Sequence, residues 1–202
     1  MSRVKLSRAE IVKAALTLGD AEGLSAISMR RVATELGCEA MSLYGHVANK
    51  DDLLGLVAES VLSEFEPQTA SSWTAEIIAL ADEFRRVALE HPNLFPIIVE
   101  QMPNSAVALA PVSATLKALR RAGLLDTEVV SAFWALASYV SGALTCETAS
   151  ARGVEQPFPA TDALLSPEVA SLGPILAGQG WGGEFKTGLQ LLLDAIEAKV
   201  SP

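Results

Sequence analysis

This chain is poor in histidine and cysteine, and it lacks both long apolar runs and strand-like alternation. Each shortage excludes something. Only His46 and His91 are present, and no Cys/His cluster has metal-ligand spacing, so no metal centre and no cofactor is expected. There is no glycine-rich phosphate loop and no nucleophile flanked by a base, which argues against an enzyme. Cys38 and Cys146 lie far apart and form no disulfide framework. With no signal peptide visible, a reducing, cytoplasmic setting is expected. Cys38 reads as small apolar packing between two short helices. No apolar run approaches the ~18 residues needed to span a bilayer, so no membrane partner is expected.

What is present points to an all-α protein. Half of the 202 residues are hydrophobic, enough for a sizeable core without disulfides or metals. The formal net charge is −9, which at first argues against nucleic acid. Its distribution reverses that: residues 1–50 hold seven Lys/Arg against five Asp/Glu, and residues 51–202 hold eight against nineteen. A mildly basic head on an acidic body suits a protein that docks one end on DNA.

The most informative stretch is Ser28 to Lys50, SMRRVATELGCEAMSLYGHVANK. Ser28 is placed to cap a helix from about Met29 to Leu36. Gly37 can take the left-handed conformation that ends it. A second short helix is predicted over Glu39 to His46. Rods this short cannot hold themselves together in water, so they must be packed by neighbours or presented to a partner. Val32, Ala33, Leu36, Leu43 and Val47 can form a small core, with Leu24 and Ile27 sealing it. Arg30, Arg31, Ser42, Tyr44, His46 and Lys50 are left for a polyanion. That is the pattern of a helix-turn-helix reading a DNA major groove.

Before this unit, Ser7 and Glu10 form a capping-box pattern, and Ile11, Ala14, Ala15 and Leu18 repeat at helical spacing to a stop at Gly23. After it, Asn49 caps a connecting helix that ends near Phe65. The domains are therefore expected as residues 1–50 for the three-helix head, 51–66 for the connecting helix, and 73–202 for a helical ligand-binding and dimerisation body, with a hinge at Pro67–Ser72. In the body, helices are predicted from Thr74 to His91, Asn93 to Met102, Ser105 to Ala122, and from an Asp126 cap to about Arg152. A Pro/Gly-rich loop follows, about Gly153 to Ser166. Ser166-Pro167 then starts a helix that Gly173-Pro174 can break. Gly178, Gly180, Gly182 and Gly183 precede a last helix, Glu184 to Lys199.

Two helices are candidates for self-association. Val130, Trp134, Ala137 and Ser141 share a face of the long helix, and Phe185, Leu189, Leu192 and Ile196 repeat at three and four in the last one. These stripes are read as core that also builds a two-fold interface, with core alone as the alternative. Two heads spaced one DNA turn apart, ~34–36 Å, turn weak binders into a specific reader of a palindromic operator.

Together these residues resemble the TetR family of bacterial repressors. The match is strongest from Leu6 to about Leu62, with L-Y-x-H-V-x-N-K-x-x-L-L over Leu43–Leu54 its most specific part. The tail resembles the tetracycline-repressor type of ligand domain. The resemblance implies a homodimeric regulator released from DNA by a small molecule. It implies base contacts at Arg30, Ala40, Met41 and Ser42, and phosphate contacts at Tyr44, His46 and Lys50. The side-chain chemistry supports some of these independently. Arg30 can bond a guanine edge bidentately, worth ~1–3 kcal/mol of discrimination. Met41 can touch a thymine methyl, and Lys50 at a helix N-terminus can hold a phosphate. The alternatives are a core-packed Tyr44, a capping His46, a solvated Arg31 and a Glu39 that caps the second short helix. Gly45 stands where the family usually carries a large or basic residue, and Ala40 offers no hydrogen bond, so specificity is expected to lean on Arg30, apolar contacts and DNA shape.

For the effector, Phe95, Ile98, Met102, Leu116, Phe133, Trp134 and Tyr139 are the expected apolar lining, with His91, Gln101, Thr115 and Ser138 as its polar contacts. The resemblance would put a magnesium-holding histidine near Ile98. Its absence disfavours a metal-chelated ligand and favours a mostly apolar one. The rival reading is a helical small-molecule-binding protein whose head has weak or lost DNA binding.

Overall fold

The computed structural model describes residues 6–100, 105–154, 166–178 and 180–200. Among the described residues it contains ten α-helices and no strand. The chain divides into two compact units, Met1–Ala118 and Leu119–Pro202.

The first unit begins with α1 (Arg8–Glu22), a 3-10 turn (Leu24–Ala26), α2 (Met29–Glu35), α3 (Ala40–Leu43) and α4 (Lys50–Leu62). It continues with α5 (Trp73–Glu90), α6 (Phe95–Glu100) and most of α7 (Ala110–Arg121). Helix α1 packs on α2 and α4, α2 on α3, and α4 on α6. This compact division differs from the expected hinge at Pro67–Ser72, because α5 and α6 share a unit with the head.

The starts and stops follow local chemistry. The Ser7 hydroxyl oxygen accepts the Glu10 N–H at 3.3 Å, but the Glu10 carboxylate takes the Ser7 hydroxyl rather than completing a reciprocal box. Ser28 accepts the Arg31 N–H, and Ser72, not Thr74, caps α5 through the Ala75 N–H. Gly37 has φ 64°, the left-handed turn that a Cβ would strain. The core of the head is Ile11, Ala15, Leu18, Ile27, Val32, Ala33, Leu43 and Val47, all buried, joined by Leu53, Val57 and Val61 from α4. Burying a Leu or Ile side chain contributes about 1.5–3 kcal/mol, so this cluster, rather than propensity, holds the short rods.

The second unit contains the end of α7, α8 (Asp126–Ala151), α9 (Pro167–Gly178) and α10 (Trp181–Val200). Asp126 is the first residue of α8 rather than its cap; it pairs with Arg120 at 2.9 Å, and Glu128 accepts the Leu125 N–H instead. Helix α9 continues through Pro174. Helix α10 starts at Trp181, so Gly182 and Gly183 lie inside its first turn, where the N–H groups have no helical partner to lose. Helices α8 and α10 pack together. Their contact is close at Gly188, where an added Cβ would fall on the Tyr139 ring. The Tyr139 hydroxyl donates to the Glu184 and Phe185 carbonyls, and its ring stacks on Phe185.

Helix α8 corrects one expectation. By length and composition it is apolar enough to cross a membrane. Ser, Thr and Gly interrupt every apolar run, which hid this, yet they lower the average little. Only 22% of its most apolar window is buried within the chain.

Candidate nucleic-acid interface

The recognition segment is built by α2, the turn at Gly37–Glu39 and α3. Helix α3 is shorter than expected: it spans Ala40–Leu43, four residues, and Tyr44, Gly45 and His46 form a turn after it. Amides of His46 and Val47 both donate to the Leu43 carbonyl, which folds the chain back toward α4. Gly45 therefore imposes no helix-interior cost. Glu39 occupies the cap position of α3 but makes no side-chain cap bond, against the capping role expected for it.

Leu43 and Val47 point inward, fully and almost fully buried. The opposite side is open. Met41 is 74% exposed and Tyr44 48%, a large apolar and aromatic exposure on so small a segment. Ser42, Arg30 and Lys50 are also exposed, and Ala40 and His46 are half-buried. All seven expected DNA residues thus lie in the helix-turn-helix or at the start of α4, and the large ones reach solvent.

Three details differ from expectation. Arg31 is not merely solvated: it bridges Glu22 of α1 at 2.7 Å and Glu35 at 3.3 Å, and Glu22 first, then Glu35, raise its pKa. At the start of α4, Asn49 takes the Asp52 N–H and Asp52 takes the Ala48 N–H. Those two donors are therefore spent within the chain. The third is a residue that pattern reading missed. Arg8, in the first turn of α1, donates to the His46 carbonyl at 2.9 Å. Nothing local in the sequence marks it, because its partner is far along the chain.

The expected ligand residues are divided between the units. In the first, Phe95 and Ile98 are buried, and Phe95 meets Phe84 edge-on with ring centroids 6.1 Å apart. His91 is buried and committed to two carboxylates, Asp20 and Glu64, which corrects its expected role as a ligand contact. Thr115 is half-buried but its hydroxyl donates to the Pro111 carbonyl; Leu116 is half-buried. Gln101 and Met102 lie outside the described residues. In the second unit, Phe133 packs edge-on against Trp134, which is 63% exposed; Ser138 is exposed and Tyr139 is tied to α10.

The expected association face is also split. Val130 and Trp134 are exposed, and Ala137, Ser141 and Leu192 are half-buried. Phe185, Leu189 and Ile196 are instead buried within their own unit, because that side of α10 faces α8. The outward side of α10 carries Leu191, 66% exposed, which the periodicity reading passed over.

A small helical head with a buried support and an exposed second rod is the arrangement of a helix-turn-helix DNA-binding protein. Comparison with known proteins agrees. Residues 11–57 match the bacterial regulatory proteins of the tetR family, and residues 66–200 match the tetracyclin repressor-like C-terminal domain. The chain belongs to the TetR family of transcriptional regulators.

A transcriptional regulator of Saccharopolyspora erythraea is 36% identical over 73% of this chain, and the aligned part spans 64% of that relative. The transcriptional repressor DrrR1 of Streptomyces coeruleorubidus is 32% identical, over 95% of this chain and 77% of its own. Among solved structures, the Streptomyces coelicolor TetR family protein ActR in complex with actinorhodin is 27% identical. It superposes with a TM-score of 0.85, covering 98% of this chain and 100% of ActR. BioQ with its double-stranded DNA operator is 28% identical with a TM-score of 0.74, covering 96% and 99%.

Proposed function

We propose that this protein is a cytoplasmic, homodimeric repressor that leaves a palindromic operator when a small, mostly apolar molecule binds its body. The observation that carries the reading is the exposed α3 segment, with Met41 and Tyr44 outside and Leu43 sealed beneath them. Arg30, Ala40, Met41 and Ser42 meet base edges, and Tyr44, His46 and Lys50 meet phosphates. Function divides as head 1–50, connecting helix 51–66 and body 73–202, whatever the packing division. That BioQ carries an operator and ActR carries actinorhodin supports both halves of the reading by likeness.

Pairing is carried by Val130, Trp134, Ala137 and Ser141 on α8, with Leu192 on α10. An apolar helix of 26 residues that its own chain leaves largely uncovered needs a second surface, and a second copy provides it. Candidate effector contacts within the first unit are Phe95, Ile98 and Leu116, with Thr115 as a polar one.

Selection of bound sequences from random duplexes with the purified protein tests the DNA half. A two-fold symmetric site, bound with a steep negative slope of log affinity against log salt, is expected. Weak binding without sequence preference would refute it. Screening apolar small molecules for release of that site tests the effector half.

A further inference from the structure

The C-terminal ends of α1, α4 and α5 converge on one buried imidazole. His91, the residue that ends α5, is 8% exposed. Its Nδ1 lies 2.9 Å from both carboxylate oxygens of Asp20 on α1, and its Nε2 lies 3.1 Å from Glu64 beyond α4. The joint is reinforced on both arms. Asn93 donates to the Asp20 carbonyl at 2.7 Å, and Arg86 donates to the Glu64 carbonyl at 2.8 Å. Packing there is tight: a Cβ on Gly19 would collide with Leu94 and Ile27.

We propose that His91 is a proton-binding site that latches the head to α5: the imidazolium closes both arms, and release of one proton opens the arm to Glu64. The argument is one of donor count. A protonated ring has two N–H donors and satisfies both carboxylates; a neutral ring has one. The remaining nitrogen would then aim a lone pair at a carboxylate. The arm kept is Asp20, held by two close oxygens and the less exposed partner, with a side chain 30% exposed against 40% for Glu64. The proton that leaves is the one on Nε2, and the Glu64 carboxylate, 40% exposed, turns to solvent.

The acidic groups beside the ring favour the closed state, and the charged groups near it are few. They are Asp20 from α1, Glu64 from the end of α4, and Arg86 with Glu83 and Glu90 from α5. Arg86 spends its donors on those two glutamates and on the Glu64 backbone, so it does not take the place of His91 on the Glu64 carboxylate. Burial pushes the imidazole down, but the hydrogen bonds and charges of Asp20 and Glu64 outweigh it and hold its pKa above 6.5.

Two histidines make the test direct. The ring resonances of the full-length protein are followed by NMR across pH 5 to about 10 without DNA, with His46→Gln assigning the remaining curve. Backbone amide exchange at residues 63–66 is read over the same range, corrected for intrinsic rates. His91 is expected to titrate above 6.5, Asp20→Asn and Glu64→Gln are each expected to lower its midpoint, and protection at 63–66 is expected to fall through the wild-type midpoint. A midpoint at or below 6.5, a midpoint that neither substitution moves, or protection that ignores it would each overturn the latch. If a variant fails to fold, the wild-type titration and exchange still decide. No operator enters the experiment, so its result is independent of the repressor reading.

Discussion

The guanidinium of Arg8, on the first turn of α1, holds the carbonyl of His46 at 2.9 Å. A charge from the scaffold thus fixes the turn that follows α3, where Tyr44 and His46 sit. Replacing Arg8 with Gln should loosen that turn and cost about 0.5–1.5 kcal/mol. Operator affinity should fall by roughly 2- to 10-fold. Electrophoretic or fluorescence titration against the selected operator measures it; unchanged affinity would mean that the turn is held by Leu43 and Val47 alone.

Arg30 and Lys50 should fail differently. Arg30→Ala should reduce the ratio of operator to random-DNA affinity by about 1–3 kcal/mol, since it removes a base reader. Lys50→Ala should weaken both kinds of DNA equally and reduce the salt slope by about 1, since it removes a phosphate contact. An unchanged ratio for the first variant would remove Arg30 from the base readers.

Gly45 offers a gain. Its φ is not left-handed, and an added Cβ meets only the Ser42 carbonyl, at 3.7 Å. Gly45→Lys should therefore fold normally and add a phosphate partner, raising affinity for all duplexes and steepening the salt slope by about 1. A variant with native melting temperature but weaker DNA binding would show that this turn approaches DNA too closely for a side chain.

Trp134→Glu should abolish pairing. A carboxylate at a site that is 63% exposed in the single chain costs the free protomer little. In an apolar interface it loses its hydration. Sedimentation at micromolar concentration should give the mass of one chain, with helical content retained and operator binding lost. A variant that stays dimeric would move the interface elsewhere.

Stability should follow the charge on His91. Its folded pKa is raised above 6.5, so its contribution is complete below about 6.5 and is lost as pH climbs through the higher folded value. His91→Gln should then cost about 1–2 kcal/mol at pH 6, allowing for the partial exposure of both carboxylates, and progressively less by pH 9. Urea unfolding at several pH values measures the difference. A penalty independent of pH would mean that His91 acts by packing alone.

The head was largely legible because its signals are local. Ser28, Gly37 and Asn49 each act within three or four residues, and structure and pattern agree on them. Periodicity also gave the buried stripes of α4 and α10. It does not tell which side of α10 meets only its own chain: Phe185 and Leu189 are buried there, while Leu191 is exposed. Long-range polar pairs were invisible for the same reason. Asp20 and His91 are brought together by folding, as are Arg8 and His46, and no spacing rule links them.

The second short rod of the head has a single turn of its own, from Ala40 to Leu43. Its shape is thus borrowed from the buried cluster of Ile27 and Val32 that its own Leu43 joins. Sequence discrimination and folding of the head are consequently one property measured two ways. A cavity cut anywhere in that cluster should blur base choice at temperatures where the chain is still fully helical. A screen for relaxed operator preference will then return interior residues alongside those on the surface.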